Sequence, residues 1–323
     1  MSDPEITVVI PTVGRDTLRA VAEAVPEGFP LVVVDDRPWR RTDRLPVGEP
    51  SATLVILPSG GRGPAAARNQ GWRAASTEWV VFLDDDVLPG PGWADKIGDD
   101  LRGLPPEVAG SQARIVVPLD KGRPPTDAER NTLGLTTARW ITADMAFRRS
   151  ALAAVGGFDE RFPRAYREDA DLALRLTSAG HRLVTGRRTT VHPVRDEGFW
   201  ASLRRQRGNA DDALMRRIHG PGWRARVGGP GRLGDHALTT ALGLAAAALA
   251  CRGHRAASLT AFAGWAALTA RFAWSRIAPG PRTPSEVLRM AATSVLIPPA
   301  ACLHRLGGEL RVRVRGGGAC IRT

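Results

Sequence analysis

Cysteine, long apolar runs and a cleavable leader are scarce or missing in this sequence. The three cysteines, Cys251, Cys302 and Cys320, are odd in number and have no metal-type spacing. They favour reduced thiols in a cytosolic protein over a disulfide framework. The start, MSDPEITVVIPTVGR, places acidic residues before a first apolar run of strand length, so we expect no secretory signal.

The apolar stretches of the C-terminal third are short. They occupy residues 237–250, 256–270 and 290–303, and none reaches the roughly 20 residues that a spanning helix needs. We expect helices that lie in or dip into a bilayer surface, with the flanking arginines at the headgroups. A helical hairpin packed on the rest of the chain is the alternative, and genuine spans are the least favoured one.

Positive charge is concentrated in the tail. The whole chain carries a net charge of +12, residues 195–323 hold 20 arginines against 7 acidic residues, and residues 1–194 are nearly balanced. A cationic tail suits an anionic membrane surface. Nucleic acid is not expected as a partner, because long apolar blocks rather than stacking aromatics separate the arginines.

Short apolar segments alternate with helical segments in the front part. Apolar, β-branched runs predict strands, and longer periodic segments predict helices. The predicted strands are 6–11, 31–35, 53–57, 79–84 and 144–148, with extended chain at 181–191, and the predicted helices are 64–75, 93–101, 150–155, 169–179 and 200–218. This pattern predicts an α/β fold with a mostly parallel central sheet, followed by an α-helical C-terminal region. The polar, turn-rich segment 118–139 is expected to be a mobile loop over the site.

Polar loops follow three of the predicted strands. They read PTVGRD, DDR and DDD, and ligands bind at the carboxyl ends of strands in such sheets. The triplet Asp84, Asp85 and Asp86 directly follows a buried strand, where like charges repel each other. A divalent cation, Mg²⁺ or Mn²⁺, would cancel this repulsion and could also bind two phosphate oxygens of a ligand. A solvated acidic turn is the plain alternative.

Two further loops suggest a nucleotide pocket. In IPTVGRD, Gly14 allows close backbone approach and Arg15 can meet a base or a phosphate. Asp36, in VVVDDR, is a possible acceptor for a base or ribose. In GGRGPAAARNQGW, Arg62 or Arg68 offers a phosphate contact. For Asp36 and Arg62 the alternative is an ordinary polar loop residue.

Five sequence motifs, in a fixed order along the chain, show a family resemblance. They are the opening strand, the aspartate of the second strand, the Ala-Arg-Asn helix, the aspartate triplet and a Glu-Asp-x-Asp-Leu helix start. Over about residues 5–195 the chain resembles the family 2 glycosyltransferases, nucleotide-sugar enzymes of the GT-A fold. The resemblance implies a catalytic domain at 1–195 and a basic helical region at 196–323 that associates with membrane.

The resemblance assigns roles to particular residues of this chain. Asp169 would be the general base with Glu168 in support, and a carboxylate suits this role because it can take the proton of an attacking hydroxyl. Asp86 and His192 would ligate the metal. The residues expected to bind substrate are Pro11, Thr12, Arg15, Asp36, Arg62, Asp84, Asp85 and, on the acceptor side, Asp144.

The resemblance also sets the reaction and its partners. It implies inverting transfer from a nucleotide-sugar donor to a glycan or lipid-linked acceptor, at the cytoplasmic face of the cell membrane. The Gln-x-x-Arg-Trp motif of processive members has no match, since residues 206–210 read QRGNA, so we expect single addition. The rival functions are a sugar nucleotidyltransferase and a catalytically inactive nucleotide-sugar-binding protein. A dehydrogenase is disfavoured because the first strand lacks a G-x-G-x-x-G turn.

Overall fold

The structure is a computed structural model that describes residues 4–39, 43–48, 51, 53–229 and 231–317. Its strands lie in the first two thirds of the chain, where apolar and β-branched residues are buried on both sides of the sheet. The strands are β1 (Ile6–Thr12), β2 (Leu31–Asp35), β3 (Leu54–Pro58), β4 (Trp79–Leu83), β5 (Leu88–Pro89), β6 (Val108–Val116), β7 (Asp144–Arg148) and β8 (Arg182–Val191).

The eight strands form one sheet in the order β3-β2-β1-β4-β7-β6-β8-β5. The pairs β1–β2, β1–β4, β2–β3 and β6–β8 are parallel. Strand β7 runs antiparallel to β4 and β6, and β5 antiparallel to β8. The predicted α/β class with a mostly parallel sheet is confirmed. The chain order reverses between β1 and β4, and ligands of open α/β sheets bind at such a switch point.

Helices cover the sheet and make up most of the tail. They are α1 (Leu18–Ala24), α2 (Pro64–Ala74), α3 (Trp93–Leu101), α4 (Asp127–Leu133), α5 (Arg149–Ala154), α6 (Glu168–Ser178), α7 (Ala201–Arg204), α8 (Asn209–His219), α9 (Trp223–Val227), α10 (Leu233–Cys251), α11 (Arg255–Ile277) and α12 (Pro284–Gly317).

The chain divides into two compact units. The first comprises residues 1–118 and 132–194 and contains the sheet; the second comprises residues 119–131 and 195–323. Within the second unit, the backbone N–H of Asp127 donates to Glu286 at 2.7 Å, and Arg130 donates to the carbonyl of Arg276 at 2.8 Å. These bonds tie the α4 segment to the tail helices.

The structure departs from the predicted elements in several places. Strands β5 and β6 and helices α1 and α9 were not predicted; β6 was missed because its buried Ser111 and Gln112 interrupt the apolar pattern. The segment 118–139 is not a loop without secondary structure, since it contains α4. The predicted helix 200–218 is two helices joined by a 3₁₀ turn at Arg205–Gly208.

The tail helices are also longer than their apolar runs. By length and composition, Leu233–Cys251 and Pro284–Val314 could each cross a membrane, because each helix continues past the charges that end its apolar run.

Helix α2 approaches the sheet through a glycine. A methyl group on Gly71 would lie 2.2 Å from Cγ1 of Val9 on β1, a separation that real side chains cannot adopt. The alanines beside it, Ala66 and Ala67, are fully buried. Small residues therefore let α2 lie against the strands that end at the candidate site.

The tight contact predicts that Gly71→Ala will destabilise the protein. We expect the free energy of unfolding to fall by about 1–3 kcal/mol, although alanine favours a helix by about 1 kcal/mol. Gly98→Ala on α3 is the control, because its added methyl group meets nothing closer than 3.9 Å. Urea denaturation should show Gly98→Ala neutral or stabilising, and an equal gain for both variants would contradict the packing argument.

Candidate active site

Asp85 lies at the carboxyl end of β4 and faces the end of β1. Its Oδ2 accepts a 2.6 Å hydrogen bond from the hydroxyl of Thr12, its Oδ1 pairs with Arg15, and its backbone carbonyl accepts from Thr17 at 2.6 Å. Burial raises the pKa of the Asp85 carboxyl, and the Arg15 guanidinium opposes that rise. Pro11, opposite Val34 of β2, is buried in the strand that carries these contacts.

Arg68 joins two carboxylates from different elements. It lies on α2 with 2% of its side chain exposed, and it donates to Asp84 Oδ1 and to Glu168 Oε1 at 2.8 Å each. Asp84 follows β4, and Glu168 is the first residue of α6. A buried arginine with two carboxylate partners fixes the end of the strand against the start of the helix.

The Arg68 cluster has more negative than positive charge. We use this name for Arg68, Asp84, Glu168 and Asp169. Burial and the nearby charge of Asp169 raise the pKa of Glu168 to about 8, and burial also raises the pKa of Asp169 above its usual range. Within the described residues, Glu168 Oε2 and Arg68 Nε are buried without a hydrogen-bond partner. Buried polar atoms without partners are uncommon and mark candidate functional sites.

Asp36 holds the glycine-rich loop. Its Oδ1 accepts from the hydroxyl of Ser59 at 2.7 Å, and its Oδ2 accepts from the backbone N–H of Gly63 at 3.0 Å. Gly63 has a φ of +98°, and a methyl group there would lie 2.8 Å from the carbonyl oxygen of Pro163. Arg62 is half exposed and donates to Ser59 O and to Glu160. Asp36 therefore fixes the conformation of this loop through its hydrogen bonds, whether or not it also contacts a ligand.

Asp86 and His192 lie just outside the paired residues of β5 and β8. Leu88 of β5 pairs with Val191 of β8 in antiparallel register, so the chain before Leu88 and the chain after Val191 leave the sheet at the same end. The backbone N–H of His192 donates to Val116 O at 2.8 Å. The two residues thus belong to segments that leave the same corner of the sheet.

A divalent cation would need further ligands at this corner. No group of three or more His, Cys, Asp and Glu side chains able to hold a metal is found among the described residues. Mg²⁺ commonly uses one or two carboxylates together with substrate phosphates, and imidazole suits Mn²⁺. The role of Asp86 and His192 as metal ligands therefore stays a prediction.

Asp144 is not part of the Arg68 cluster. Its side chain is fully buried, where it accepts from Arg188 Nε at 2.9 Å, from Trp93 Nε1 at 2.6 Å and from the hydroxyl of Thr190. Both carboxylate oxygens therefore bind side chains of β8 and α3. We assign Asp144 to the stability of the sheet rather than to the acceptor, because a substrate contact would break this network.

The front of the chain matches a family model. The model described as "Glycosyl transferase family 2" covers residues 7–155. This segment contains β1, the Arg68 helix and the aspartate triplet. Over residues 7–155 the chain is therefore similar to glycosyl transferase family 2.

Two curated relatives and one solved structure illustrate what this chain is similar to. It is 34% identical over 199 residues to the pre-mycofactocin glycosyltransferase of Mycobacterium tuberculosis, covering 56% of this chain and 41% of that protein. It is 29% identical over 233 residues to the validoxylamine A glucosyltransferase of Streptomyces hygroscopicus, covering 57% and 50%. The chain thus spans half the length or less of these curated relatives.

The solved structure is the mannosyltransferase PcManGT of Pyrobaculum calidifontis in complex with GDP-Man and Mn²⁺. It superposes with a TM-score of 0.51 at 18% identity, covering 95% of this chain and 88% of that one. At this identity the likeness shows the GT-A fold alone.

In this chain, arginines pair with two of the three aspartates. Asp85 pairs with Arg15, and Asp84 pairs with Arg68. Arginines therefore offset part of the repulsion within the triplet, and the predicted divalent cation stays a prediction. The sequence offers Arg68 as one of two possible phosphate contacts, and its place among the alanines of α2 is the available signal that it is buried.

Proposed function

We propose that this protein transfers a sugar from a nucleotide-diphosphate sugar to a hydroxyl group of an acceptor, with inversion at the anomeric carbon. The observation that carries this proposal is the bridge from Asp84 through Arg68 to Glu168. It joins the strand ends expected to hold the donor to the helix that carries Asp169. The match to the family 2 model and the names of both curated relatives support glycosyl transfer.

Asp169 is the proposed general base. Its raised pKa makes the carboxylate more basic than an ordinary aspartate, which favours removal of a hydroxyl proton near neutral pH. The attacking oxygen then approaches the sugar from the face opposite the leaving diphosphate, so a single displacement inverts the configuration. Glu168 stays bound to Arg68 and orients the start of α6, on which Asp169 lies.

The donor would lie at the carboxyl ends of β1, β2 and β4. Thr12, Arg15 and Asp85 form one side of this region, Asp36 and Arg62 the other. Asp86 and His192 would hold a divalent cation, Mn²⁺ or Mg²⁺, which neutralises charge on the departing diphosphate. PcManGT was solved with GDP-Man and Mn²⁺, and this chain shares its fold.

The acceptor is proposed to be a glycan or a lipid-linked molecule at the cytoplasmic face of the cell membrane. Helices α10 and α12 are apolar, and only 17% and 33% of the residues in their most apolar windows are buried. Exposed apolar helices with flanking arginines suit an anionic membrane surface. Binding of these helices to the membrane would bring the enzyme to the surface that contains a lipid-linked acceptor.

A donor screen tests the proposal. Purified protein is incubated with a panel of nucleotide sugars, a cell-envelope lipid extract and Mn²⁺, and released nucleoside diphosphate is measured. Asp86→Ala should reduce release on the order of 100-fold or more, because a metal ligand contributes several kcal/mol of charge stabilisation. The reduction should be smaller at high Mn²⁺ concentration.

Asp95→Ala is the matched control, since Asp95 is an exposed acid in the first turn of α3. Its turnover should equal that of the wild type. In a parallel assay with nucleoside triphosphates and sugar 1-phosphates, release of inorganic diphosphate would indicate a nucleotidyltransferase. Equal turnover of wild type and Asp86→Ala would contradict the assigned metal role.

A further inference from the structure

The second unit contains an apolar groove that the proposed transfer reaction does not use. The groove has a volume of about 570 Å³ and lies between α10, α11 and α12. Its lining is almost entirely apolar and includes Leu244, Ala247, Phe262, Trp265 and Val295. Ligand pockets of this volume are common, and most are lined by apolar and aromatic side chains.

A polar pocket adjoins the groove. It measures about 330 Å³ and is lined by Arg232, Asp235, His236 and Arg271, among others. Thr239 and Pro298 line both cavities, so the groove and the pocket are neighbours. Taken together as one binding cavity, they have an apolar body and a polar end.

The polar end favours an anion. Arg232 begins α10 and Arg271 lies near the end of α11, and both are exposed. Asp235 is the one acid among the residues that line this pocket, against two arginines. The guanidinium of Arg232 lies 5.4 Å from the ring centroid of Phe272, a contact that orients it. Two arginines at one mouth suit a phosphate group.

The length of the groove matches a lipid chain. Along α10 it extends from Thr239 to Ala250, which at the helical rise is about 17 Å. One leaflet of a bilayer has a hydrocarbon depth of about 15 Å, half of the full core. An acyl chain in the groove would therefore reach from the headgroup level to the middle of a membrane.

We propose that this cavity binds one anionic phospholipid, with its phosphate between Arg232 and Arg271 and one acyl chain in the groove. The arginines at the polar end favour an anionic headgroup, and the apolar lining of the groove favours a hydrocarbon chain. An anionic phospholipid has both. Such a lipid would hold the helices α10 to α12 at the membrane. This site is separate from the Arg68 cluster, so it does not depend on the transfer reaction.

Tryptophan quenching tests the chain position. The full-length protein in neutral detergent is titrated with phosphatidylglycerol that carries brominated acyl chains, which quench nearby tryptophans. Trp265 lines the groove, so part of the quenching should disappear in Trp265→Phe. Ala247→Phe should fill the groove and weaken binding about tenfold, whereas Ala248→Phe, on an exposed position outside the lining, should leave it unchanged.

The headgroup is tested with charge variants and a second lipid. Arg232→Gln with Arg271→Gln should weaken phosphatidylglycerol binding about tenfold, while Arg252→Gln with Arg255→Gln, at the opposite ends of α10 and α11, should not. Brominated phosphatidylcholine should quench less than phosphatidylglycerol. Three results would overturn the proposal. They are equal quenching by the two lipids, displacement of phosphatidylglycerol by an equal concentration of inorganic phosphate, and an equal loss of lipid binding in the two double arginine variants.

Discussion

Replacing Asp169 by asparagine should lower turnover by about 10³-fold while leaving the KM for the donor nearly unchanged. General-base catalysis contributes about 10²–10⁴-fold, and the amide keeps the shape of the side chain while removing its basicity. The backbone N–H of Ala170 donates to Asp169 Oδ1 at 2.6 Å, a bond that the asparagine oxygen can also accept. The fold of the α6 start should therefore persist.

The pH dependence gives a second measurement of the same residue. Because the pKa of Asp169 is raised by burial, the base is lost by protonation at a higher pH than for an ordinary aspartate, near 4. Plots of kcat/KM for the wild type should fall on the acid side with a midpoint above that value. In Asp169→Asn this acid limb should vanish from the residual activity.

Asp171→Asn is the matched control for this prediction. Asp171 is fully buried on the same helix and pairs with Arg175 at 2.7 Å. Its loss should reduce stability but keep kcat/KM of the folded protein within a few-fold. If both variants lost the same turnover per folded molecule, Asp169 would not be the base.

Replacing Arg68 by methionine should reduce the free energy of unfolding by about 3–5 kcal/mol. Removing one partner of a buried ion pair leaves the remaining charge uncompensated. Here Asp84 loses its ion-pair partner, and Glu168, which is mostly protonated near neutral pH, loses a hydrogen bond. Methionine fills a similar volume, so most of the loss is electrostatic. The variant should also lose activity, because nothing then holds the start of α6 against β4.

Arg62→Met is the control, since Arg62 forms an exposed pair with Glu160. Exposed pairs contribute about 0–1 kcal/mol. Urea denaturation near neutral pH should separate the two variants clearly. A loss in Arg68→Met no larger than in Arg62→Met would show that the Arg68 bridge does not stabilise the fold.

Stability should also depend on pH through Glu168. Its native pKa of about 8 lies above the ordinary 4.5, so the native state binds a proton more tightly than the unfolded state. This contribution is complete below about pH 4.5 and is lost as the pH rises through about 8. The free energy of unfolding of the wild type should fall across that window, and Glu168→Gln should flatten the fall.

Much of the sheet could be predicted because its strands are short, apolar and bounded by turns. Strands β2 and β7 and helix α3 have the predicted bounds. Strand β6 could not be found in this way, because the partners of its buried polar side chains come from distant chain segments. Ser111, for example, accepts from Arg188 at 3.1 Å, and no local pattern indicates that contact.

The candidate site was predictable in its residue types and less so in their pairing. The aspartates and Asp169 follow from motif order, but which arginine opposes which aspartate depends on how α2 crosses the sheet. Asp144 shows the same limit: the family resemblance implies an acceptor contact, whereas in the structure its buried carboxylate pairs with Arg188.

The division of the chain into units bears on how the tail can be removed. The polypeptide passes between the two units three times, because residues 119–131 belong with the tail although they lie between β6 and β7. A stop codon after Val194 would deprive Asp127 and Arg130 of Glu286 and Arg276. A soluble fragment of the sheet unit should therefore be engineered with a short linker in place of residues 119–131 as well as the truncation.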